Sequence, residues 1–339
     1  MPTPAENITF PPVTRAAGRG GPFPAEPEAA ECGSASSSSR RVTRDRMKKS
    51  INCFCKRPDA LVRLVCFPWA GGGSIHYARW GSLLNSSVEV YSVKLPGREG
   101  RAKEPFLMDM QQVVDEVVSA LLPELREKPF ALFGHSFGAM ASFATADHLK
   151  RVHGLEPVHL FVSGASAPHQ RRGLCPLLRH PVPESSIILH TVTLAVPATA
   201  QLTPNGGSEA RLCATKRSDL TDEEFLNWLT SIGGTPPEIL TNQEVLKLFL
   251  PVLKADLSVV ENYRYLKPER SILSCPVTCF DGTQDIPHDL QAWKDISSGE
   301  FTIKMLPGSH FYLKDPTNEK ILLDYITRYL ETAEMDYMK

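Results

Sequence analysis

The sequence predicts an α/β fold, a mostly parallel sheet with helices on both faces and an inserted helical cap. Short apolar runs at 61–67, 88–93, 130–134, 158–165, 276–280 and 301–306 alternate with stretches of helical period. Strand–helix alternation of this kind builds a parallel sheet covered on both faces. One run ends in Gly134-His135-Ser136-Phe137-Gly138 and passes straight into a helix of small residues. Two helical stretches, 221–232 and 244–263, come in succession with no strand between them. They break the alternation as an inserted cap does.

Residues 1–46 read as a disordered extension. Positions 34–39 are nearly all serine, and Arg40, Arg41, Arg44 and Arg46 make the end of the extension basic. Composition changes at Met47, which is expected to open the functional protein. The run 61–67 is dense enough in apolar residues to be a buried strand. It leads into Pro68-Trp69-Ala70-Gly71-Gly72-Gly73-Ser74 and then a helix over 75–84. The strand 88–93 ends at Leu95-Pro96-Gly97-Arg98-Glu99. Over 108–125, Met110, Val113, Val114, Val117, Leu121 and Leu122 form one helical face. From 171 to 218 prolines are frequent and no period is sustained, which is unusual inside a compact domain. Thr221 and Glu224 then form a capping box. Residues 233–237, Gly-Gly-Thr-Pro-Pro, stop that helix. The next helix, 244–263, carries Leu246, Phe249, Leu250, Leu253 and Leu257. After the strand 276–280 come a short helix at 290–296, the strand 301–306 and a closing helix over 317–330.

Composition narrows the function. The 339 residues are 42% hydrophobic, enough for one large α/β domain or two small ones. A net charge of -1 does not suggest a nucleic-acid binder. No apolar run approaches the ~20 residues of a membrane span. The N-terminal stretch has no apolar core of a secretory signal. The eight cysteines (Cys32, Cys53, Cys55, Cys66, Cys175, Cys213, Cys275 and Cys279) include no C-x-x-C pair. They are expected to be reduced thiols of a cytosolic protein.

The chemistry is expected at the G-x-S-x-G turn. A strand–turn–helix in this pattern projects a serine hydroxyl above the carboxyl end of the sheet. Ser136 is the expected nucleophile. Three glycines after the first long strand could cradle a phosphate, but G-K-[ST] is missing and the spacing is not G-x-G-x-x-G. In the α/β-hydrolase fold such a loop supplies half of an oxyanion hole. The backbone N–H groups of Ala70 and Phe137 are therefore the expected donors. A serine nucleophile needs a base, and the base needs an acid. His310 follows the last strand and is the expected base. Asp285 follows the penultimate strand and is the expected acid, with Asp281 as chief rival and Asp256 as a lesser one. His135 and His76 read as packing residues.

The glycine loop 67–74, Leu95-Pro96-Gly97-Arg98-Glu99, the Ser136 turn, 233–236 and Leu306-Pro307-Gly308-Ser309-His310-Phe311-Tyr312-Leu313 together resemble the type II thioesterases. Within that family the likeness is to the vertebrate medium-chain S-acyl fatty acid synthase group. The resemblance covers about residues 50–335. It implies hydrolysis of an acyl chain thioesterified to the phosphopantetheine of the fatty acid synthase acyl carrier protein domain, giving a medium-chain free acid. It implies the triad Ser136, Asp285 and His310, for which no cofactor or metal is needed; a monomer is the default expectation. Its cap corresponds to 166–270. Two segments have no counterpart in the family pattern, 1–46 and about 173–214. Arg171, Arg172, Lys216 and Arg217 flank the second, where a basic loop could face an acidic carrier protein or simply be solvated. The competing expectations are an oxygen-ester hydrolase with the same triad and a catalytically idle lipid- or synthase-binding scaffold.

Overall fold

The computed structural model describes residues 37–170, 216–232 and 240–337. In chain order the elements are α1 (Ser37–Ser50), β1 (Ile51–Asn52), β2 (Val62–Phe67), α2 (Ile75–Ala78), α3 (Trp80–Leu83), β3 (Val88–Val93) and α4 (Met110–Glu127). Then come β4 (Phe130–His135), α5 (Phe137–His153), β5 (His159–Ser163), α6 (Asp222–Ile232), α7 (Gln243–Asn262), β6 (Val277–Gly282), β7 (Phe301–Leu306) and α8 (Pro316–Tyr337). The strands form one 7-stranded sheet in the order β1-β3-β2-β4-β5-β6-β7. Only the β1–β3 pairing is antiparallel. This is the expected α/β-hydrolase architecture.

Every residue of β2, β3, β4, β5 and β6 is buried. That explains why these strands read as continuous apolar runs, since a parallel sheet is covered on both faces. One face packs on α4 and α5 through Val113, Val117, Leu121, Met140 and Phe143, joined by Trp293. The other packs on Tyr77, Trp80 and, from α8, Leu322, Ile326 and Leu330. A third cluster joins Phe225, Trp228 and Leu229 of α6 to Leu246, Leu250 and Leu253 of α7 and includes Ala70 at its edge. The parallel register sets Phe67 opposite Gly134 and His135 opposite Ser163. The carboxyl ends of β2, β4 and β5 are therefore level, and the loops that leave them meet.

Several local expectations are corrected. Residues 37–46, read as disordered, lie in α1. Its last turn is held by tertiary contacts that composition does not reveal. Lys49 pairs with Glu104 at 2.9 Å, Ser50 Oγ donates to Glu116 at 2.5 Å, and Met47 packs against the core. The helix expected over 75–84 is parted at Arg79 into α2 and α3. The segment near 290–296 is a 3-10 turn, Gln291–Asp295. The closing helix runs on to Tyr337. The capping box is present: Thr221 N donates to Glu224 at 3.0 Å, and Glu224 N returns a bond to Thr221 Oγ1 at 3.3 Å. Residues 1–36, the expected insert at 173–214 and the helix stop at 233–237 lie outside the described residues.

Among the described residues no helix is long and apolar enough to cross a membrane. Cys53, Cys55, Cys66, Cys275 and Cys279 are free thiols. Burial pushes Cys275 up to about 12 and Cys66 and Cys279 well above the ordinary thiol range, so these three pack as small apolar residues.

His159 begins β5 in the interior. Its Nε2 lies 2.8 Å from Thr278 Oγ1 and its ring stacks on Phe161 at 3.9 Å. Burial pushes its pKa from the ordinary 6.5 down to about 3. The folded form thus stays neutral while the unfolded chain takes up a proton, and stability falls as pH falls from 6.5 towards about 3. His159→Gln is expected to reduce the slope of unfolding free energy against pH in that window by up to about one proton. Urea unfolding at neutral and mildly acidic pH measures this, and an unchanged slope would refute it.

Candidate active site

Ser136 sits between β4 and α5 with φ 58° and ψ -114°. Ser136 and Glu99 are the two non-glycine residues with positive φ among the described residues. A side chain held in that region is strained and persists only where its surroundings over-determine it. Here the surroundings are visible. Ser136 N donates to Ser163 O at 2.8 Å, and Ala139 N donates to Ser136 O at 3.1 Å to start the helix. A Cβ on Gly134 would overlap the Gly138 carbonyl, and a Cβ on Gly138 would overlap the carbonyls of Phe67 and Pro68. The two flanking glycines of the motif are thus needed for clearance. The second also lets α5 press against the loop that leaves β2.

The expected base and acid follow β7 and β6, the last two strands of the sheet. His310 follows β7 and is buried, 5% exposed. Its Nε2 lies 3.1 Å from Ser136 Oγ, and its Nδ1 lies 2.7 Å from Asp285 Oδ2. Asp285 Oδ1 accepts from Ile286 N at 2.7 Å. Ser136, His310 and Asp285 therefore form one hydrogen-bonded line. Asp281, the chief rival, is occupied elsewhere: its Oδ2 lies 2.8 Å from His288 Nδ1 and its Oδ1 accepts from Gly282 N at 2.9 Å. Burial opposes ionisation of both carboxyls. At Asp285 the hydrogen bond from His310 and the charge of two histidines outweigh it and hold the group below the usual carboxylate range. At Asp281 burial wins and raises it. The two acids are pushed in opposite directions, and the one facing His310 is the one whose ionised form is favoured. Asp285, His288 and His310 have ligand atoms within 4.8 Å of one another and are the residues here that could hold a metal ion. Those atoms already face each other, Ser136 or Asp281, an arrangement suited to proton transfer.

Asp256, the lesser rival, does not reach His310. It pairs with Arg98 at 2.7 Å and accepts from Gly71 N at 2.8 Å. Sequence reasoning gives its partner loop, Pro96 to Glu99, no part in the site. The available signal is its place, a glycine followed by a charged pair at the carboxyl end of an internal strand. Ala70 lies in the loop leaving β2, and Phe137 is the first residue of α5. The contact at Gly138 brings these two segments together. Gly71, with φ +71°, meets Phe249 and Leu253 of α7, so the apolar face of that helix borders the glycine loop.

His135 and His76 are packing residues. His135 is fully buried, its Nδ1 2.8 Å from Ser163 Oγ, which in turn lies 2.6 Å from Tyr312 OH. Burial drives its pKa far down, leaving a neutral ring 4.8 Å from that of His310. Burial also lowers His76 to about 4, among the rings of Trp69, Tyr77 and Trp80. Of the basic residues, Lys216 Nζ donates to Asn262 at 2.5 Å and Arg217 stacks 5.7 Å over Trp228. Arg171 and Arg172 lie outside the described residues.

The family model "Thioesterase domain" matches residues 62–329. The medium-chain S-acyl fatty acid synthase thioesterase of Rattus norvegicus is 41% identical over 290 residues, covering 86% of this chain and 96% of that protein. The crystal structure of human thioesterase 2 is 34% identical and superposes with a TM-score of 0.53, covering 81% of this chain and 98% of that one. RedJ, a thioesterase from the prodiginine biosynthetic pathway of Streptomyces coelicolor, is 29% identical with a TM-score of 0.63, covering 81% of this chain and 87% of its own.

Gly134→Ala is expected to cost about 3 kcal/mol or more, because the added methyl meets backbone rather than a movable side chain. Urea unfolding of the purified variant measures it. A loss within error of zero would show that the turn relaxes and that the clearance is not needed.

Proposed function

The chain belongs to the thioesterase family, and on that premise we propose that it hydrolyses acyl thioesters on the phosphopantetheine of a fatty acid synthase acyl carrier protein, releasing medium-chain free fatty acids. The observation that carries this reading is the unbroken line Ser136 Oγ, His310 Nε2, His310 Nδ1, Asp285 Oδ2, at 3.1 Å and 2.7 Å.

In this reading His310 takes the proton of Ser136 while Oγ bonds to the thioester carbonyl carbon. Asp285 holds the Nδ1–H tautomer and balances the imidazolium that forms. The N–H groups of Ala70 and Phe137 receive the developing oxyanion, and the N-terminal end of α5 adds its dipole. The C–S bond then breaks, and His310 returns its proton to the leaving pantetheine sulfur. Water, deprotonated by His310, attacks the acyl-enzyme and frees the acid, and the proton returns to Ser136. No step calls on a metal or cofactor.

The assignment of 50–335 to the thioesterase domain and of 166–270 to its cap belongs to the same reading. Its support is the α6–α7 pair, which lies between β5 and β6 in the chain and shares an apolar cluster reaching Ala70. Phe249 and Leu253 beside Gly71 offer an apolar wall for the acyl chain. A cytosolic location belongs to the same reading, and the free thiols suit a reducing compartment.

With decanoyl carrier protein as substrate, the wild type is expected to show a burst of acyl-enzyme that Ser136→Ala abolishes. Asp285→Asn is expected to lower kcat by about 10³–10⁴-fold, because the amide favours the wrong tautomer of His310. Turnover of a matched oxygen ester at an equal or higher rate would point instead to an ester hydrolase. Folded wild type with no turnover of either substrate would leave only the scaffold reading.

A further inference from the structure

The loop that leaves β3 grips the glycine loop from two sides. Arg98 and Asp256 form a bidentate pair, Nη1 to Oδ2 and Nη2 to Oδ1, both at 2.7 Å. Both side chains are almost out of solvent, at 8% and 5% exposed. Arg98 Nη1 also donates to Gly72 O at 3.1 Å, and Asp256 Oδ2 accepts from Gly71 N at 2.8 Å. The next residue, Glu99, accepts from Ser74 N at 2.7 Å and from Ser74 Oγ at 2.6 Å. Glu99 is the second strained residue, with φ 50°. Strain at a residue whose carboxylate holds a neighbouring loop points to a positional task.

The turn itself shows what is being positioned. Gly72 N donates to Trp69 O at 2.9 Å and closes a turn over Trp69, Ala70, Gly71 and Gly72. Its third residue, Gly71, has the positive φ that a type II turn requires there. Gly72's N–H closes the turn and Gly71's goes to Asp256, so neither contact uses the N–H of Ala70. The Trp69–Ala70 peptide carries both Trp69 O, held by the turn bond from Gly72, and the Ala70 N–H, so releasing the grip on Gly71 and Gly72 would free the turn and let that donor swing. Asp256 belongs to α7, whereas Arg98 and the glycine loop belong to the sheet. The bond to Gly71 therefore exists only when α7 is seated.

We propose that Asp256, locked by Arg98, is a positioning residue that orients the Ala70 N–H as an oxyanion donor only while α7 covers the site. This rests on the thioesterase reading above. A salt bridge serving stability alone would predict a different outcome, because replacing a buried pair by apolar residues of similar size is often neutral or stabilising.

The test is the double variant Arg98→Met/Asp256→Leu, with Asp256→Asn as a milder second variant, each checked for folding by circular dichroism. Three quantities are read on decanoyl carrier protein and an alkyl boronic acid: the single-turnover acylation rate, KM, and the affinity for the boronic acid, which forms a tetrahedral adduct on serine. In the double variant acylation is expected to fall about 10²-fold, the order seen on removal of one oxyanion donor. Boronate affinity should fall in parallel, with KM changed less than about twofold. Asp256→Asn should move the same quantities in the same direction by about tenfold, and it decides the matter if the double variant does not fold. A folded variant with wild-type acylation and boronate affinity, or one whose loss lies wholly in KM, overturns the proposal. Wild-type silence in the same assay would sink the thioesterase reading and this role with it. An active wild type beside unimpaired variants sinks the clamp alone.

Discussion

The strained turn at Ser136 is the constraint on which the rest of the site depends. A serine at φ 58° is tolerated only if neighbouring backbone can pass close by and hold it. Gly134 and Gly138 supply the clearance, and the Ser163 carbonyl on the adjacent strand supplies the tie. Both conditions require β4 at the centre of the sheet, level with β2 and β5. The apolar clusters on the two faces of the sheet maintain that level register. Core packing and site geometry are thus one problem: a shift of β4 against β5 would break the Ser163–Ser136 bond and aim the hydroxyl elsewhere.

Charge is arranged around this turn by burial. Two aspartates lie at or just beyond the end of β6, four residues apart, and their surroundings drive their proton affinities in opposite directions. The difference lies in their partners, since Asp281 faces His288 and Asp285 faces His310. His135, whose ring lies 4.8 Å from that of His310, is held neutral by exclusion of water. The imidazole of His310 therefore stands beside a neutral ring and a single facing carboxylate. That is the environment a proton shuttle needs, because an extra fixed charge would bias it to one state.

The loops at the carboxyl end of the sheet carry several charge-assisted hydrogen bonds. Arg101 shows this away from the site. It donates to Glu116 at 2.7 Å, to Glu104 at 2.8 Å and to Lys94 O at 2.9 Å, joining the β3 loop to α4. Arg98 plays the corresponding part towards α7. These arginines precede and follow Glu99 in one short segment, so a single loop ties the sheet to helices on both sides of the site. Arginine suits the task because its planar fork makes several directed bonds at once.

Much of this was legible in the sequence. The strands are visible because a parallel sheet buries both faces, and Ser136 stands out because a sharp strand–helix turn needs small residues at fixed offsets. His310 and Asp285 could be named because chain order after the last strands restricts the candidates. What stayed hidden were contacts between residues far apart in the chain. Chain order favours Asp285 over Asp281 and Asp256, but only the fold shows which carboxylate faces His310 and which faces His288 or Arg98. The helix that leads through Met47 is not legible because the contacts of its last turn, to Glu104, Glu116 and the core, are made with residues far along the chain. Local backbone demands and apolar period are written along the chain, so the sequence by itself determined the sheet, the turn and the short set of candidate groups. The pairing of those groups depends on distances and on exclusion of water, which exist only once the chain has folded, so the tertiary structure alone decided it.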